Sequence, residues 1–186
     1  KGSREIKRMK LKIPESYKSQ ASGFFNSYTQ VFFSDNRVFA IILLGVSFLD
    51  LYAGICGALS IIISNLLARG MGFNDWLINK GFYGYNSLLV GLGFGLTFEP
   101  GPAFFLLIPV LALLTFLFTV AFQGFLYKYG LPYLSLPFLF GFWLMMLASS
   151  LYLGVALSLG LLISSVTQSQ LVANQVAVLI TYLPSL

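Results

Sequence analysis

The stretch LPYLSLPF, Leu131 to Phe138, lies in a part of the chain where no charged residue follows Lys128 through Leu186. Its prolines, Pro132 and Pro137, lack amide donors, so they stop a regular helix and free carbonyl oxygens nearby. Irregular backbone in so apolar a setting is tolerated where it packs inside protein or lines a polar cavity. The stretch therefore reads as a break in a helix at membrane depth, and it makes the fold an all-α membrane protein.

Outward from that break, Ala103 to Phe122 is the cleanest span, 20 residues without a charge. Pro137 to Ser164 is long enough for one long or two short helices, and VTQSQLVANQ after it is a polar, uncharged loop. Toward the N-terminus, EPGP at 99–102 forms a turn, and Asn86 to Phe98 is an apolar, glycine-rich span. Gly91, Gly95, Gly154 and Gly160 are small enough to let helices approach closely. Arg69 to Tyr85 is a polar connection. Val38 to Ala68 is an apolar run interrupted by Asp50 alone, too long for one span, and it predicts two tilted or shortened helices meeting near Asp50 and Gly54. Asp50 there suits a capping or interfacial role. SDNR at 34–37 precedes it, and Gly23 to Phe33 is about half a span, with Asn26 and Gln30 on one helix face. Ile13 to Ser22 is too polar to span and suits an interfacial helix.

Composition agrees. Of 186 residues 58% are hydrophobic and only 9% charged, with a mean hydropathy of +0.85, whereas about a quarter of an ordinary soluble domain is charged. The length holds roughly five or six spans. The net charge of +5 sits wholly within the first 18 residues, where Lys1, Arg4, Lys7, Arg8, Lys10, Lys12 and Lys18 face only Glu5 and Glu15. A basic tail before apolar spans fits a cytoplasmic N-terminus and anionic lipid headgroups, and no basic stripe continues elsewhere to hold nucleic acid. Histidine is absent and Cys56 is the one cysteine, which excludes a disulfide framework, a thiolate zinc site and histidine catalysis within the chain. No carboxylate pair sits in an apolar span, and GFGLTFEPG lacks the lysine of a phosphate loop. An enzyme is not expected, nor is a cofactor. The chain opens on Lys without a signal-peptide pattern, as expected of a piece of a longer protein.

What remains is a set of uncharged hydrogen-bonding groups beside aromatics: Gln30 with Phe33, Tyr85 with Asn86, and Ser135 between the prolines. From the residues alone, two readings of each stand. Gln30 either bonds a neighbouring helix or faces a polar path; Tyr85 is an interfacial anchor or a wall; Ser135 satisfies local backbone or faces that path.

Three segments in order, TQVFFSDN at 29–36, GFYGYNSLLVG at 81–91 and LPYLSLPF, resemble the urea transporters. They are similar to the family's first pore half-helix, its aromatic-glycine-asparagine motif and its Leu-Pro-x-x-Thr-x-Pro-Phe signature. The resemblance implies an inverted-repeat channel fold, two repeats of five spans each, every repeat donating a pore half-helix and a broken helix. It also implies homotrimers with a pore in each protomer, in a cell membrane. This chain is expected to supply the first five-span repeat: 1–22 as basic tail and interfacial helix, 23–165 as the repeat, and 166–186 as a connection toward a second.

By the same resemblance, Gln30 bonds the substrate, Val31 and Phe33 form one wall of the site, Tyr85 and Leu89 the other, and Ser135 stands at the constriction. Tyr85 adds a hydroxyl where a bare ring is usual, and Ser135 lacks a methyl. Urea is planar and neutral, with four N–H donors and one acceptor, so entering a dry slot requires several hydrogen bonds. Frayed carbonyls around Pro132 and Pro137 are expected to supply acceptors, and flat aromatic walls to reject hydrated ions. The function implied is passive conduction of urea or a similar small neutral amide. Alternatives are an ammonia or water channel, and a non-conducting structural or signalling membrane domain.

Overall fold

A computed structural model of the chain describes residues 15–101 and 104–167. Every regular element among them is helical: α1 (Glu15–Gln30), α2 (Arg37–Ser47), α3 (Leu51–Gly70), α4 (Asp75–Asn79), α5 (Tyr85–Thr97), α6 (Phe104–Tyr127) and α7 (Leu136–Thr167). The charge-rich residues 1–14 and most of the expected connection at 166–186 lie outside the described residues.

Local chemistry sets the boundaries. Asn36 Oδ1 accepts from the Val38 amide at 2.9 Å and starts α2. Asp50 Oδ1 accepts from the Ala53 amide at 2.8 Å and starts α3, satisfying one of the first-turn donors that a helix leaves unpaired. The 38–68 run therefore divides at Asp50, as its length demanded, while Gly54 lies inside α3.

Two expectations change. The polar stretch 13–22 does not form a separate interfacial helix, because α1 runs from Glu15 across residue 22 to Gln30 without a break. Polarity alone does not end a helix, and no proline falls within Glu15–Gln30. Nor do the prolines of 131–138 break a helix. The segment joins α6 to α7, and Pro137 is the second residue of α7, where a missing amide costs nothing.

At 1.5 Å per residue, the 20 residues of α3 and the 24 of α6 reach about 30 and 36 Å, enough to cross a hydrocarbon core of about 30 Å. Pro109 sits inside α6 and the helix continues past it. The 11 residues of α2 and 13 of α5 reach only about 16 and 20 Å, so neither crosses alone. The outward faces of the long helices are apolar, with Ile62 and Leu66 on α3 and Leu106, Val110, Leu113 and Leu117 on α6 all exposed. Such a surface suits lipid tails rather than water.

Helix α3 is central, packed against α5 and α6, while α7 closes over α5 and α6 and α1 lies against α2, α4 and α3. Cys56, Phe94, Phe104, Ile108 and Met145 fill one core cluster. Ala68, Ile78, Tyr83 and Phe116 fill a second, and Tyr28, Ile61 and Leu88 a third around α1. Buried hydroxyls are satisfied within this packing: Ser64 Oγ donates to Ser87 Oγ at 2.6 Å between α3 and α5, and Thr119 Oγ1 donates to the Thr115 carbonyl at 2.8 Å. An unsatisfied hydroxyl in so apolar an interior would cost about 1–3 kcal/mol.

Candidate functional site

The C-terminal end of α1 carries the first cluster of expected site residues. The Phe33 amide donates to the Gln30 carbonyl at 3.1 Å, and the Ser34 amide to the Thr29 carbonyl at 3.1 Å. This pair of bonds closes a helix with one residue in the left-handed region, a place where glycine is usual. The same two bonds end α3, α4 and α6 around Gly72, Gly81 and Gly130, each at positive φ. At the end of α1 the residue is Phe33, at φ 53°, with its ring 65% exposed. A bulky residue held there marks a strained position of the kind that gathers at functional sites.

Gln30, one turn earlier, is mostly buried at 9% exposure. Among the described residues its amide bonds no neighbouring helix, and neither amide atom is sealed and orphaned. Val31 is half-buried and packs on the cluster of Tyr28, Ile61 and Leu88, so it anchors the turn that presents Gln30 and Phe33.

The segment from Asn79 to Gly84 straps this helix end. Asn26 Nδ2 donates to the Asn79 carbonyl at 2.7 Å, and a Cβ at Gly81 would stand 2.5 Å from the Ser27 nitrogen. Lys80 Nζ reaches both carboxylate oxygens of Asp35 at 2.9 Å, tying the strap to the loop after Phe33. The Asp35 side chain is 73% exposed, so the pair contributes about 1 kcal/mol or less. Asp35→Asn should accordingly shift thermal unfolding by only a degree or two, an effect that fades as salt is raised; a large, salt-independent loss would contradict this.

The strap leads into α5, whose first residues hold the 131–138 segment. The Tyr85 hydroxyl and Asn86 Nδ2, the latter at 3.2 Å, both donate to the Leu134 carbonyl. Asn86 Oδ1 accepts from the Phe138 amide at 3.3 Å, one of the first-turn donors of α7. The Tyr133 hydroxyl donates to the Phe82 carbonyl at 2.9 Å, and the Tyr85 and Tyr133 ring centroids are 6.3 Å apart. Leu134 itself is left-handed, at φ 43°.

These contacts revise the expectation of frayed acceptor carbonyls around Pro137, while the Leu131 and Pro132 carbonyls accept no hydrogen bond among the described residues. The Leu134 carbonyl takes two donors, the Tyr133 carbonyl accepts from the Leu136 amide at 3.2 Å, and the Ser135 carbonyl accepts from the Leu139 amide at 3.1 Å. The prolines remove their own donors, and the carbonyls of Tyr133, Leu134 and Ser135 find partners in α5 and in the first turn of α7. The Ser135 side chain, in contrast, is exposed, and its hydroxyl has no partner among the described residues.

Tyr85 is only 3% exposed. In this chain its ring is a buried support and its hydroxyl a latch, whereas Phe33 presents an open aromatic face. Leu89, one turn along α5, is half-buried. The six expected residues thus fall into two groups, Gln30, Val31 and Phe33 on the end of α1, and Tyr85, Leu89 and Ser135 where α5 meets the start of α7. The strap at 79–84 joins them. Asn86, fully buried, was visible beside Tyr85 in sequence, yet its partners lie about 50 residues away and left no local signal. Among the described residues no group of three or more His, Cys, Asp or Glu is placed to hold a metal.

Compared with known families, residues 21–182 match the family model described as urea transporter.

Proposed function

We propose, from the fact that this chain belongs to the urea transporter family, that it forms part of a passive path for urea or a similar small neutral amide through each protomer. The family is one of membrane transporters rather than enzymes. The observation that carries the reading is the Gln30 amide, without a hydrogen-bond partner among the described residues, one turn from the open face of Phe33.

A planar solute with four N–H donors and one carbonyl meets complementary groups here. Gln30 offers an acceptor and donors, Ser135 offers a hydroxyl, and Phe33 offers a flat apolar face. Val31 and Leu89 add apolar lining, and Tyr85 supports the wall from behind. None of these groups carries a charge, so a hydrated ion would lose its water shell without compensation while a neutral amide would not. Among the described residues, Asp35 beside Phe33 is paired with Lys80 and Asp50 caps α3, which favours passive passage over coupling through a proton relay.

In this reading, residues 23–165 are the first of two inverted five-span repeats. The short α2 and α5 meet partner elements of the second repeat, and the protomers form homotrimers in the cell membrane with the basic tail in the cytoplasm. No cofactor takes part, and the partners are the solute and lipid.

Stopped-flow light scattering on proteoliposomes of the full-length protein tests the proposal. Urea flux well above that of empty vesicles is expected. Gln30→Ala should lower it about tenfold and Ser135→Ala about threefold, the equivalents of roughly 1.4 and 0.7 kcal/mol for one hydrogen bond lost to the solute. Flux equal to that of empty vesicles would end the transport reading, and full flux in Gln30→Ala would remove Gln30 from the path.

A further inference from the structure

The Leu134 carbonyl has two lone pairs, and both are taken, one by the Tyr85 hydroxyl and one by Asn86 Nδ2. Asn86 is fully buried and its other amide atom holds the Phe138 amide, so it cannot turn away without orphaning that donor. Tyr85 is nearly as deep, and its ring lies over Tyr133, whose own hydroxyl is fixed on the Phe82 carbonyl. The left-handed backbone at Leu134 is held in place by this set of bonds, and it leaves the next side chain, Ser135, exposed.

We propose that the Tyr85 hydroxyl acts as a specificity-determining latch. It withdraws the Leu134 carbonyl from the solute, so the Leu134–Ser135 step offers the Ser135 hydroxyl in place of that carbonyl. This rests on the transport reading above and sharpens it, because a carbonyl only accepts while a hydroxyl also donates. A saturated Leu134 carbonyl penalises solutes rich in N–H donors and shifts the balance toward solutes that need a donor. Removing the one hydroxyl frees one lone pair and leaves Asn86, and hence the backbone, in place.

The test is Tyr85→Phe in the full-length protein, with two independent measurements. Labelling leucine with carbonyl carbon-13 and serine with nitrogen-15 gives one signal for each Leu–Ser peptide, and within residues 1–186 these are 59–60, 134–135 and 157–158. In solid-state NMR of bilayer samples, one Leu–Ser carbonyl resonance is expected to move in Tyr85→Phe while the others stay. In proteoliposomes, the urea concentration for half-maximal flux is expected to fall about threefold, the size of one modest hydrogen bond. Half-inhibition by dimethylformamide, a planar amide without N–H donors, should not change. Ser135→Ala should also cost less flux in the Tyr85→Phe background than in the native chain, because the freed carbonyl replaces part of what the hydroxyl supplied.

The latch is overturned if no Leu–Ser carbonyl moves. Its role in specificity is overturned if the resonance moves and the half-maximal urea concentration does not. Failure of the transport reading looks different: the native protein itself would carry no urea, whatever the resonance does.

Discussion

Phe33→Gly is expected to leave the protein as stable as before, or slightly more stable, and to remove half or more of its urea conduction. The two effects separate because of how Phe33 is held. Three other helix ends close with the same pair of hydrogen bonds around Gly72, Gly81 and Gly130, so the backbone at this position is one that glycine adopts freely. A non-glycine residue there costs about 1–2 kcal/mol. Glycine removes that cost and gives back about 0.5–1 kcal/mol through the freedom of the unfolded chain. The ring is 65% exposed, so little packing is lost with it. Conduction should fall by about two- to tenfold, since an aromatic face is worth roughly 0.5–1.5 kcal/mol beyond its area when it meets a planar partner. Phe33→Leu retains the strained backbone and the apolar bulk but not the flat face, and it should conduct poorly without gaining stability. Thermal unfolding in detergent beside stopped-flow flux would check both halves. Native flux in Phe33→Gly would mean that the strained ring has no part in the path.

What the sequence disclosed and what it hid follow from the range of the interactions involved. The division of residues 38–68 was legible because it rests on local chemistry, a run too long for one span and an Asp able to cap the next helix. The apolar stretch beginning at 103 was legible for the same reason, and it became α6. The continuity of α1 was not. A change in polarity at residue 22 resembles a boundary, yet the helix passes it with Gly23 laid against the Ile78 carbonyl, where a Cβ would stand 2.8 Å away. The prolines of 131–138 announced an interruption without revealing its kind, because Pro137 fits the first turn of a helix as well as it breaks one. Gln30, Phe33 and Ser135 could be singled out as polar or aromatic groups in an apolar chain. That Tyr85 faces inward could not, since its bond to Leu134 depends on packing between segments 49 residues apart. Glycines show the same limit: Gly91 and Gly95 lie at a helix crossing, while Gly154 has nothing within 4 Å of a would-be Cβ.

That crossing sets the largest structural effect expected of a single substitution. At Gly95 a Cβ would stand 2.4 Å from the Ala53 Cα and 2.7 Å from its nitrogen, and at Gly91 it would stand 2.6 Å from the Cys56 carbonyl oxygen. These neighbours are backbone atoms of α3, which cannot rotate aside as a side chain can, so any added atom must push α3 and α5 apart. One extra methylene in a well-packed core costs about 1–3 kcal/mol, and valine at Gly95 adds three carbons against a helix backbone. Gly95→Val should therefore destabilise by about 3 kcal/mol or more, enough to lower yield and melting temperature sharply. The consequence reaches the site, because α5 begins with Tyr85 and Asn86, and a shift of its axis loosens their hold on the Leu134 carbonyl. Urea flux per folded protein should then fall together with stability, in contrast to Phe33→Gly, where the two separate. Gly154→Val serves as the control, since a side chain there enters open space and should change melting by no more than a degree or two. A Gly95→Val protein that melts with the native chain would show that α3 and α5 do not cross as closely as their backbones imply, and with that the support for the site from beneath would fail.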